Sequence, residues 1–141
     1  MSQKTAFTAQ IALHTSTGAP CQLDFGTPTN GPKNWDGKTF VVEKDGLYAI
    51  TVSYIRDSQV PDTGGDAGTQ DDTNLRVILD AKVIGYAWAG EASVARQAAS
   101  STFLVPLFRN SMLSTEDWAA EDRKIRRFRH CILTVFRVAK L

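Results

Sequence analysis

Residues Leu47 to Ile55 alternate large and small side chains: Tyr48, Ile50, Val52 and Tyr54 share one parity, Ala49, Thr51 and Ser53 the other. Alternation with period two belongs to a strand whose faces meet different environments; a helix, with about 3.6 residues per turn, would scatter these residues around its axis. Just upstream, Lys38 to Glu43 reads as a shorter strand and Asp45-Gly46 as the tight turn closing a hairpin. This feature constrains the whole chain. A strand with so bulky a face must be paired edge to edge and then covered by a second layer.

The remaining segments follow the same rule. Phe7, Ala9, Ile11 and Leu13 alternate with Thr8, Gln10 and Ala12, a short element spans Gln22 to Phe25, and Gly26 to Asn34 is rich in turn residues. Leu75 to Leu79 and Val83 to Trp88 flank Asp80-Ala81-Lys82, a hairpin by length. Ala98 to Phe108 is another strand; Pro106 cannot donate to a ladder, which predicts a sheet edge or a bulge there. Ser111 to Trp118 and Phe128 to Val138 complete the set, and Ala119 to Arg123 is the one place with helix formers enough for a helical turn. Between the strands, Asp57 to Asn74 is polar and glycine-rich and reads as a long exposed loop. About eight to ten short strands predict an all-β, two-sheet antiparallel sandwich or jelly roll. At 141 residues the chain is read as a single domain spanning 1–141.

Several functional classes lose support. A net charge of +1 gives no field that would draw nucleic acid or a membrane surface. The longest apolar run, Cys131 to Phe136, is far short of the roughly 20 residues a membrane-spanning helix requires. There is no apolar signal core behind Lys4. No nucleophile elbow, paired-histidine metal motif or phosphate-cradling loop is present, so an enzyme is not expected. His14 and His130 lie at opposite ends of the sequence; His14 is read as a surface residue, His130 as a core or interface one. Cys21 and Cys131 fit no metal-ligand spacing and are read as free and buried, a bridge between them being the alternative.

The order of features resembles the globular complement-q (gC1q) domain of the tumour necrosis factor-like jelly-roll superfamily. The resemblance covers nearly the whole chain. It is carried by Phe7-Thr8-Ala9, by Phe25, by Gly37-Lys38-Thr39-Phe40, by Asp45-Gly46-Leu47-Tyr48-Ala49-Ile50 and by the Leu75 to Val83 hairpin. The chain departs from the family pattern in having Asp45-Gly46 where Pro-Gly is usual and Arg109-Asn110-Ser111 where a Gly-Asp turn is usual, and no collagen-like repeat precedes it. A distant, microbial or viral member fits these departures. The resemblance implies a jelly roll of about ten strands that assembles as a compact homotrimer.

The residues themselves agree with burial between subunits. Ala49, Thr51 and Ser53 form a small, uncharged face where a solvated strand would show charges. In the last strand both parities are apolar, with Phe128, Ile132, Phe136 and Val138 on one and Cys131, Leu133 and Val135 on the other. Ala49, Thr51, Ser53, Cys131, Leu133 and Val135 are therefore the expected trimer interface, with a loop folded over that face as the alternative.

Three further groups invite a ligand. Asp62, Asp66, Asp71 and Asp72 offer oxygens that calcium accepts, although their spacing is not that of an EF-hand and a solvated loop is the plain reading. Arg123, Lys124, Arg126 and Arg127, beside Trp118, form a basic run suited to an anionic partner, or to internal pairing with Glu116, Asp117, Glu121 and Asp122. Trp35, Trp88 and Trp118 would suit a sugar platform if exposed, and the core edge if not. The expectation is a non-enzymatic trimeric head that engages a protein or glycan surface, on a cell surface, outside the cell or on a virion, with no cofactor beyond calcium. The alternative is a purely structural trimerisation knob on a fibre, phage or virus particle, or spore surface.

Overall fold

The structure is a computed structural model that describes residues 6–16, 21–28, 31–57, 74–88, 96–118 and 126–141, with the backbone alone at several strand ends. Among the described residues nine strands follow in order: β1 (Ala6–Ser16), β2 (Cys21–Gln22), β3 (Thr39–Val41), β4 (Gly46–Asp57), β5 (Asn74–Leu79), β6 (Lys82–Trp88), β7 (Arg96–Leu107), β8 (Met112–Trp118) and β9 (Arg126–Ala139). No helix occurs among the described residues, and Ala119 to Arg123, where a helical turn was conceivable, lie outside them.

The strands form two antiparallel sheets. One runs β1-β9-β4-β7; the other runs β2-β8-β5-β6, with β3 also paired to β8. As Pro106 predicts, β7 is an edge strand, pairing only with β4 in its sheet. The chain passes between the sheets at residues 108–111, where Asn110 adopts φ 74° and its N–H donates to the Val42 carbonyl at 2.7 Å. Asparagine tolerates this left-handed conformation better than most residues, so it serves where a glycine would be usual.

The core lies between the sheets. Tyr48, Ile50, Val52 and Tyr54 of β4 are all buried, as their parity predicts, against Leu75, Val77 and Leu113 of the opposite sheet. Aromatic rings close both ends of this layer. Phe7 stacks on Trp35 at 4.6 Å at one end, and Tyr54 meets Phe128 edge to face at 4.9 Å at the other. Trp35 is thus part of the core. The loop that carries it is held by Asp36, whose Oδ1 accepts the backbone N–H groups of Thr39 and Lys38, each at 2.8 Å. Those two donors keep its carboxyl below the usual carboxylate range. Next to it, Gly37 sits at φ 100° with its backbone against Gly26, where a Cβ would collide.

One departure from regular pairing reorganises the molecule. Between β4 and β9 the register moves from Ser53↔Ile132 to Ile55↔Arg129, so β9 carries an extra residue at a bulge centred on His130, whose φ is 51°. Along β9, Leu133 and Cys131 point into the core, but beyond the bulge Phe128 does so in place of Arg129. β1 keeps an unbroken register with β9 and changes parity with it. Phe7, Ala9 and Ile11 face inward, whereas Leu13 is 46% exposed and His14 turns in.

Candidate functional site

Every second residue of β1, β9, β4 and β7 points away from the core, and registers across the sheet assemble these residues into rows. The first row reads Ala6, Phe136, Ala49, Leu104; the second Thr8, Thr134, Thr51, Thr102; the third Gln10, Ile132, Ser53, Ser100. None of these residues is charged. The threonine row is joined by its own hydroxyls, with Oγ1 atoms of Thr8 and Thr134 3.2 Å apart and those of Thr51 and Thr102 2.8 Å apart. The rows are small and flat in the middle and bulky at one end, where Phe136 (38% exposed) and Leu104 (61% exposed) stand on either side of Ala49. Past the third row the face sinks into a largely apolar hollow of about 310 Å³ between Ser53, Ile55, Ala98, Ser100, His130 and Ile132. The opposite sheet is built differently: its outward residues include Arg76 paired across the ladder with Glu116.

These positions divide the expected interface residues. Ala49, Thr51 and Ser53 lie on the outer face. Cys131, Leu133 and Val135 do not: each is fully buried in the core of the single chain and has no surface to offer a neighbour. The apolar side chains that β9 presents outward are instead Ile132, Phe136 and Val138, around Thr134. Phe128, which simple alternation groups with them, is pulled into the core by the bulge. None of the residues in these rows is buried in the single chain, so the alternative of a covering loop finds no support among the described residues.

Other expectations also change. His14 is not a surface residue: its side chain is 10% exposed and its Nε2 lies 2.6 Å from Oδ2 of the fully buried Asp117, on β8. Of the two settings expected for His130, the core is ruled out: it is exposed on the bulge and lines the hollow beside the outer rows. Both cysteines are free, with Cys131 buried and Cys21 exposed. Burial, reinforced by the nearby Asp117 charge, pushes the Cys131 thiol up to about 12.

Of the basic run, Arg126 and Arg127 open β9 opposite Ser16 and Thr15, and Trp118 closes β8 opposite Asn74. Only the backbone of Trp118, Arg126 and Arg127 is described. Arg123, Lys124, Asp62, Asp66, Asp71 and Asp72 lie outside the described residues.

Two antiparallel sheets in this order, with β9 and β4 at the centre of one of them, form a jelly roll. The sequence matches no protein-family model and no curated protein sequence. Solved structures share the fold. The globular domain of zebrafish complement 1qA superposes with a TM-score of 0.67 at 15% identity, covering 98% of this chain and 100% of its own. Murine APRIL gives 0.66 at 9% identity, covering 96% and 100%, and Eiger TNF from S. frugiperda gives 0.56 at 10%, covering 97% and 95%. At these identities the fold is what is shared.

Proposed function

We propose that this chain is a non-enzymatic recognition head that assembles as a homotrimer, with the outer face of the β1-β9-β4-β7 sheet as the contact between copies. The observation that carries this reading is the set of charge-free rows across four strands. An antiparallel sheet face that stays in water normally alternates in charged and polar residues, whereas the centres of protein interfaces are depleted of charge. Alanine, serine and threonine at the middle of the rows let another backbone approach closely, and Phe136 and Leu104 supply apolar knobs at the rim. A flat face packing against a different surface of the next copy makes a head-to-tail contact, which closes into a ring when the rotation permits; a threefold ring is the smallest such closure with more than two copies.

The partner of the assembled head is a protein or glycan surface, met by the loops at one end of the sandwich or by the grooves between copies. The mass in solution tests the assembly. Light scattering coupled to size exclusion should give about three times the 15.5 kDa chain. A 15.5 kDa species at micromolar concentration removes the reading. Binding across a glycan and protein panel then separates a recognition head from a purely structural knob, which would bind none of them.

A further inference from the structure

The side chains of His14, Cys21 and Asp117 converge at one end of the sandwich. One donor atom from each, an imidazole nitrogen, the Sγ and a carboxylate oxygen, lies within 4.8 Å of the other two. The convergence arises from the fold and from nothing local in the sequence. Cys21 and Asp117 are register partners across the β2–β8 ladder, which puts their side chains on the same face with Cβ atoms about 5 Å apart. His14 comes from the other sheet, and it faces inward only because β1 changes parity together with β9 at the His130 bulge. We propose that these three side chains form a binding site for a divalent transition-metal ion of the zinc class, a clip joining the two sheets.

The donor set carries the argument. One thiolate, one imidazole and one carboxylate match zinc's preferences, with bonds of about 2.3, 2.0 and 2.1 Å, respectively. Donors around a tetrahedral ion at those lengths stand roughly 3.3 to 3.8 Å apart. The side chains therefore close on an ion by opening the 2.6 Å His14–Asp117 contact slightly and drawing Cys21 inward. A sulfur ligand disfavours magnesium and calcium, which take oxygen. The Asp117 carboxylate is fully buried. A buried carboxylate is kept in the interior by polar or charged partners, and a metal cation is one that suits it. Cys21 is exposed, which leaves the ion an entry path and a fourth position for water.

The test is titration of the reduced full chain with Co²⁺, followed by displacement with Zn²⁺. The expected result is one ion per chain, with the visible bands of tetrahedral cobalt and a thiolate charge-transfer band. Cys21→Ser, at an exposed position, should keep the fold, abolish the charge-transfer band and weaken binding by more than the roughly 10–100-fold that an outer-shell change costs. Cys131→Ala should leave the band intact. Zn²⁺ should raise the melting temperature of the wild type and not that of Cys21→Ser. Absence of a thiolate band in the wild type, or a band that survives Cys21→Ser, overturns the site.

Discussion

Thr51 and Thr102 face each other across the β4–β7 ladder with their hydroxyl oxygens 2.8 Å apart, in the middle of three rows without a charge. A lysine at position 51 would place an ammonium in the middle of those rows, and a threefold assembly would gather three of them. Like charges set against one another cost several kcal/mol, on the order of what holds a modest interface together. Thr51→Lys should therefore give a folded 15.5 kDa monomer by light scattering, while Tyr86→Lys, at an exposed position on the opposite sheet, should leave the mass unchanged. A Thr51→Lys protein that still assembles would move the contact elsewhere.

The bulge yields a second prediction with two signs. His130 holds φ 51°, a conformation that costs a non-glycine residue about 1 kcal/mol, so His130→Gly should be neutral or stabilising in urea denaturation. Deleting the residue should do the reverse. A one-residue slip sends side chains to the wrong face, and expelling Phe128 alone costs about 3–5 kcal/mol by comparison with truncating a buried phenylalanine.

At the β5–β6 hairpin, Asp80 and Ala81 both have positive φ, 48° and 68°. Turns of this kind favour glycine at the second position. Asp80 is anchored, because its Oδ1 accepts the Met112 N–H at 2.8 Å, whereas Ala81 has only a methyl group and no side-chain hydrogen bond to lose. Ala81→Gly is expected to raise stability by about 0.5–1 kcal/mol, strain relief outweighing the added freedom of the unfolded chain. Equilibrium unfolding measures it directly.

The cysteines should differ in reactivity. A thiol reagent at pH 8 should modify exposed Cys21 in the native protein and reach Cys131 only after denaturation. The Cys131 thiol is raised from 9.0 to about 12 on folding, so its neutral form favours the folded state. That contribution is complete below pH 9 and is lost as pH rises towards 12. Cys131→Ala should accordingly flatten the alkaline limb of the stability profile, whatever it costs at neutral pH.

Much of this was legible in the sequence, and the failures share one cause. The β4 alternation gave its two faces correctly, Pro106 marked an edge, and Asp80-Ala81 marked a hairpin, because each signal is local. The bulge is marked by a histidine instead of a glycine, so simple alternation carried Phe128 to the wrong face and left Cys131, Leu133 and Val135 looking available to a neighbour. The contact of His14 with Asp117 spans most of the chain, and the pairing of Cys21 with Asp117 depends on a strand only two residues long. Neither leaves a pattern that periodicity could find.

The threonine row bears on fidelity of assembly. Proteins that must exclude near-copies of themselves do so chiefly by repulsion, setting like charges where the wrong partner would sit. A face of alanine, serine and threonine has no such veto. If copies meet through this face as proposed, sibling chains with similarly neutral faces would be kept out only by a clash with the rim side chains Phe136 and Leu104, and mixed rings would form wherever that clash is missing.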